Sequence, residues 1–189
     1  MPLRLNLVIA STRPGRVGPK VADWYHGLAL KDGAFDVHLV DLAEGGLPVY
    51  DELRHPRLQQ YEHEHTRRWA GIVAAADAYV FVTPEYNYGP TPALLNALDY
   101  VYKEWNYKPA AFVSYGGVSG GMRAVQVTKL TLTTLKTVPI MESVTIPFVA
   151  ERLKDGVFAP TDIHVESAEA LLKELHRWAE ALKPLRAAS

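Results

Sequence analysis

The chain has 189 residues, long enough for one α/β domain with a full core and short for two, so residues 1–189 read as a single domain. Its 48% of apolar residues exclude a disordered chain, and a formal net charge of −1 leaves no electrostatic footprint for nucleic acid. The lack of cysteine excludes disulfides, thiol nucleophiles and cysteine-held metals. Met1-Pro2-Leu3-Arg4 runs straight into a strand, and no apolar run approaches a membrane span. A cytoplasmic protein without signal peptide or membrane contact is expected.

Leu3 to Ala10 reads as the first strand. Ser11-Thr12-Arg13-Pro14-Gly15-Arg16-Val17-Gly18-Pro19 follows, and then a helix from Lys20 to Leu30 with Val21, Trp24, Tyr25 and Leu28 at helical spacing. Hydroxyls and two arginines thus stand between a strand's end and a helix's start, whose unpaired N–H groups favour an anion. The loop is neither G-x-x-x-x-G-K-[ST] nor G-x-G-x-x-G, which argues against a nucleoside triphosphate and against the usual dinucleotide. A compact terminal phosphate suits Ser11, Thr12, Arg13 and Arg16 better. The competing reading is a helix cap with solvated arginines. Asp41, at the end of the second strand, is expected to cap its own loop.

Phe35 to Leu42 alternates as a strand. Arg57 to Ala76 is expected to be helical, with Leu58, Tyr61, His65, Trp69 and Ile72 in one stripe. His63 and His65 lie two apart, on different faces of such a helix, which argues against a zinc site. Ala78 to Val82 is a short apolar strand. It runs into Pro84-Glu85-Tyr86-Asn87-Tyr88-Gly89-Pro90, and a helix from Thr91 to Tyr100 follows. Two tyrosines at a strand's carboxyl end make poor core and a good wall for a flat ring. Ala110 to Tyr115 is the fourth strand, ending in Gly116-Gly117-Val118-Ser119-Gly120-Gly121, where backbone can approach a ligand closely. A helix from Met122, a strand within Val138–Phe148, a surface connection from Ala150 to Pro160 and a helix from Asp162 to Lys183 complete the chain.

Strands alternating with helices five times imply a parallel sheet with helices on both faces. In the order 2-1-3-4-5 the three unusual loops meet at one edge. A ligand with a terminal phosphate and a flat hydrogen-bonding ring would span them, and FMN fits.

Ser11-Thr12-Arg13-Pro14-Gly15-Arg16, Pro84-Glu85-Tyr86-Asn87 with Asn96-Ala97-Leu98-Asp99, and Ser114-Tyr115-Gly116-Gly117 with Gly120-Gly121 resemble the NAD(P)H-dependent FMN reductase family over nearly the whole chain. The resemblance implies a flavodoxin-like three-layer fold and noncovalent FMN. It implies Ser11, Arg13, Arg16 and Val17 at the phosphate. Pro84, Glu85, Tyr86 and Asn87 would line the ring, with Tyr115, Gly116, Gly117, Ser119 and Gly120 at its other rim. It also implies an enzyme that takes hydride from NAD(P)H and passes electrons, ping-pong, to a quinone, azo dye, metal oxyanion such as chromate, or free flavin. The flavin carries the hydride, so no catalytic side chain and no metal are expected. A flavodoxin-type electron carrier and a non-catalytic interaction module are the alternatives. Tyr100, Tyr102, Trp105 and Tyr107 gather beside the site, which, with the family's habit, suggests a homodimer or dimer of dimers joined there.

Overall fold

The computed structural model describes residues 2–187. Five strands form a parallel sheet in the order β2-β1-β3-β4-β5, as expected: β1 Leu3–Ile9, β2 Phe35–Asp41, β3 Ala78–Pro84, β4 Pro109–Tyr115 and β5 Val138–Ile146. The inner strands β3 and β4 are buried along their whole length, which is why both read as unbroken apolar runs. The edge strand β2 has partly exposed positions, which is why it alternates.

Successive residues of β1 point to opposite faces and seed two cores. Leu3, Leu5, Leu7 and Ile9 pack under α1 (Gly18–Asp32) and α5 (Asp162–Ala187). Val8 packs on the other side with α2 (Glu64–Ala75), α3 (Pro92–Asp99) and α4 (Met122–Thr134). The helices α1 and α5 thus cover one face and α2, α3 and α4 the other. Among the described residues, no helix is long and apolar enough to cross a membrane.

Three expectations are corrected. The helix placed over Arg57–Ala76 begins only at Glu64, after a 3-10 turn at Pro56–Leu58. The Glu52 carboxylate accepts from the amides of Glu62 (2.9 Å) and His63 (3.1 Å), and Gln59 takes φ +52°, so the chain cannot run helically through them. His63 is consequently the extended N-cap residue, not a helical one. Its ring stacks on His65 at 5.1 Å and 11°, with both facing Asp51, rather than on a separate face. Among the described residues, no group of three or more metal-ligating side chains is placed to hold an ion.

The connection after Ala150 is also more structured than expected. A 3-10 turn (Val149–Arg152) leads into a two-stranded hairpin, β6 Leu153–Lys154 and β7 Val157–Phe158. Phe158 sets this hairpin against Trp24 of α1, with ring centres 5.1 Å apart.

Finally, the aromatics after α3 do not form an outer patch. Trp105 and Tyr100 are fully buried. Trp105 meets Tyr79, Trp69 and Phe81 and donates its indole N–H to Leu98 O at 3.2 Å. Buried rings need partners for their polar atoms, and these find them inside the subunit.

Candidate functional site

The carboxyl ends of β1, β3 and β4 stand side by side, with Ile9 paired to Val82 and Pro84 to Tyr115. The loops leaving them share one edge. Thr91 fastens two of them: its hydroxyl donates to Ala10 O at 2.7 Å at the end of β1 and accepts from Leu94 N at 3.1 Å as the cap of α3.

The first loop presents an open backbone. Among the described residues, the amides of Thr12, Arg13, Gly15, Arg16, Val17 and Gly18 have no acceptor within the chain. The start of α1 has no side-chain cap and no acidic residue in its first turn. A helix start lacking both is suited to an anion from outside. Thr12 and Arg13 are exposed beside it, and Val17 is the N-cap residue.

Ser11 is buried beneath this loop. Its Oγ accepts from the Tyr115 hydroxyl at 3.2 Å, tying β1 to β4. Burial pushes the Tyr115 phenol up to about 12, against the lowering effect of Ser11, so it is neutral and a donor at pH 7. Gly18 leaves room for this pair: a Cβ there would stand 2.4 Å from Ser11 Oγ and force it to shift.

Arg16 is placed differently from Arg13. Its guanidinium grips both oxygens of Asp41, at 2.5 and 2.6 Å, and donates to Ser11 O at 2.6 Å. Asp41 also accepts from Ala43 N at 3.0 Å, so it caps its own loop as expected and in addition anchors Arg16. Three of the guanidinium's N–H groups are thereby engaged by protein.

The second loop is a two-residue hairpin. Tyr86 and Gly89 exchange both backbone bonds at 2.9 Å, with Asn87 at φ +48° and Tyr88 at φ +70° between them. Asparagine tolerates this region, but a tyrosine there costs about 1–2 kcal/mol. Tyr88 is 69% exposed, with the Arg123 guanidinium 3.7 Å from the centre of its ring. Glu85 does not turn its carboxylate outward. It accepts from Ser119 Oγ (2.9 Å), Arg123 N (3.2 Å) and Arg123 Nε (2.6 Å) and pairs with the Arg123 guanidinium. Burial works to raise its pKa, but Arg123 and Ser119 outweigh burial and hold it below the ordinary carboxylate value. Pro84 ends β3 below the turn.

In the third loop, Gly116 N donates to Ile146 O, and Gly120 and Gly121 are packed tightly. A Cβ on Gly120 would meet Thr145 Cγ2 at 2.5 Å, and one on Gly121 would meet Tyr115 backbone at 2.9 Å. Those two glycines shape the loop, and Gly117 faces open space. Asn96, from the quoted motif, anchors chain as well: it donates to Pro48 O at 2.6 Å and accepts from Tyr50 N at 2.9 Å.

Residues 3–151 match the NADPH-dependent FMN reductase family. The chain belongs to that family. An NAD(P)H-dependent FMN reductase of Schizosaccharomyces pombe is 36% identical over 160 residues, covering 83% of this chain and 79% of that one. A 2-hydroxy-1,4-benzoquinone reductase of a Burkholderia species is 33% identical over 121 residues, 60% of each chain. In structure, the flavoenzyme NAD(P)H:(acceptor) oxidoreductase of Paracoccus denitrificans superposes with a TM-score of 0.76 at 24% identity, over 95% of this chain and 98% of that one, which supports the fold. The reductase is therefore a flavodoxin-like oxidoreductase with FMN as cofactor and NAD(P)H as reductant.

Reasoning from the sequence missed Arg123, Tyr88's backbone and Gly18 in this reductase. Arg123 carried a usable signal, because a cation in the first turn of a helix opposes the helix dipole and needs a reason to be there.

Proposed function

We propose that the reductase holds the FMN phosphate on the open amides between Thr12 and Gly18, with Arg13 as the charged contact and Ser11 and Val17 in the loop's floor and cap. Arg16 braces the loop from behind through Asp41. The isoalloxazine lies between the Pro84–Gly89 turn and the glycine loop. There Glu85, Tyr86 and Asn87 offer backbone, and Tyr115, Gly116, Gly117, Ser119 and Gly120 form the other rim. The observation that carries this is the unpaired run of amides beside an uncapped helix start, on the edge that also bears the exposed Tyr88 turn.

When bound, FMN supplies hydride and electron chemistry between NAD(P)H and an acceptor. The chain's own part is to bind and orient. The amides of Asn87 and Gly117, which have no acceptor among the described residues, are donors available at the ring's polar rim. In this reading protons come from solvent. The acceptor class we favour is a quinone or an azo dye, and one site serves NAD(P)H and acceptor in turn.

We also propose a homodimer, alone or paired into a dimer of dimers. The buried aromatics no longer support it. Leu53 (81% exposed) and Thr134 line one groove of about 570 Å³, and Leu130 (73% exposed) stands one turn before Thr134 on α4. Light scattering that gives a monomer at micromolar concentration removes the dimer.

The test of function is reconstitution with FMN followed by steady-state oxidation of NADH and NADPH with benzoquinone or an azo dye. One FMN per chain, and parallel double-reciprocal lines, are expected. A chain that takes up no FMN refutes the site, whereas intersecting lines refute only the one-site scheme.

A further inference from the structure

Two of the three loops at the site are joined by side chains rather than by the sheet. Glu85 lies in the turn after β3, and Ser119 and Arg123 lie after β4. The Glu85 carboxylate takes the Ser119 hydroxyl and the Arg123 amide, so it also serves as the missing N-terminal cap of α4, which has no acid of its own in its first turn. The same guanidinium then reaches Ser119 Oγ at 3.1 Å and lies 3.7 Å from the centre of the Tyr88 ring. One face of that ring is thereby covered by a cation, while the residue stays 69% exposed.

A tyrosine in the left-handed region persists only where its surroundings over-determine it. The backbone pair of Tyr86 and Gly89 closes the turn, and Arg123 adds a hold from outside it, at Glu85 before the turn and at Tyr88 within it. We infer that Arg123 is a positioning residue for the flavin-facing turn, and that Tyr88, held by it, is the ring of the turn that a flat acceptor meets. The inference rests on the FMN site proposed above. It makes Arg123 act on the ring end of the cofactor and on the acceptor, and leaves the phosphate end to Arg13.

The test uses the FMN-loaded enzyme with Arg123→Met, Arg123→Lys and Tyr88→Leu. Affinities for FMN and riboflavin are read by flavin fluorescence, KM and kcat with benzoquinone, and the thermal midpoint of each chain. Arg123→Met should weaken FMN and riboflavin alike, each by about 10-fold, as for loss of charge-assisted hydrogen bonds. It should also raise KM for benzoquinone more than it lowers kcat. Arg123→Lys keeps the charge but not the fork, and should recover part of both effects. Tyr88→Leu should raise KM for benzoquinone with little change in flavin affinity, and it decides the matter if Arg123→Met does not fold, because its ring is largely outside the core.

Three results overturn the inference. One is an Arg123→Met enzyme with wild-type riboflavin affinity and KM. Another is a loss confined to FMN, which would put Arg123 at the phosphate. The last is an unchanged KM in Tyr88→Leu. A wild-type chain that binds no flavin overturns the underlying site as well, so the two failures are told apart by the wild type alone.

Discussion

Arg13 and Arg16 stand three residues apart in one loop and should fail in different ways when removed. Arg16→Met deletes three hydrogen bonds, two to Asp41 and one to Ser11 O. It leaves the Asp41 carboxylate, only 12% exposed in its side chain, with the amide of Ala43 as its remaining partner. An uncompensated, largely buried charge of this kind costs about 2–3 kcal/mol. For a domain of this size each kcal/mol moves the thermal midpoint by about 2–4 °C, so the variant should melt about 4–12 °C lower. Arg16→Met combined with Asp41→Asn should cost no more than Arg16→Met alone, because a neutral amide replaces the stranded carboxylate. Arg13 is exposed and has no acidic partner among the described residues, so Arg13→Met should melt with wild type. It should weaken FMN by about 1.5–3 kcal/mol while sparing riboflavin, which has no phosphate. The assays are thermal unfolding of the cofactor-free chain and titration with the two flavins. An Arg16→Met chain that melts with wild type, yet discriminates strongly between FMN and riboflavin, would refute the division of labour.

Three further outcomes are expected. Burial, with Arg186 nearby, pushes the Lys108 amine from 10.5 down to about 7, so between those values the unfolded chain binds a proton that the folded chain releases. Stability should therefore rise with pH from about 7 to 10.5, and Lys108→Met should flatten that slope in thermal midpoints measured across the range. Gly18→Ala forces a methyl against Ser11 Oγ and the Tyr115 hydroxyl and should cost about 1–3 kcal/mol, with weaker FMN binding by fluorescence titration. Trp105→Ala empties a fully buried site and should cost about 3–5 kcal/mol in urea unfolding, which makes it a stability variant rather than a probe of assembly.

The parts of the fold that followed from the sequence are those set by local pattern. The unbroken apolar runs of β3 and β4 and the three loops with unusual composition depend on neighbours in the chain, and the strand order follows from connection rules. What escaped depends on partners far away. That Arg123, 38 positions after Glu85, holds its carboxylate is not visible in the turn itself. That Arg16 is paired with Asp41, 25 positions on, is not visible in the loop itself. The helix expected from Arg57 carried a plausible apolar stripe, but the amides of Glu62 and His63 found a better acceptor in Glu52 than in a helical turn. Trp105 and Tyr100 showed an aromatic cluster correctly and its direction wrongly, because side-chain type does not say which side of a loop is inward.

At the proposed site, the two cores would give the cofactor a mechanical role. The first loop launches α1 on one face of the sheet, while the other two loops launch α3 and α4 on the opposite face. A molecule gripped by all three loops therefore rivets the two helical layers together across the sheet's edge. At a hundred times its dissociation constant such a ligand adds about 2.7 kcal/mol to the folded state. The supply of flavin would then govern how long the polypeptide survives, apart from how fast it turns over.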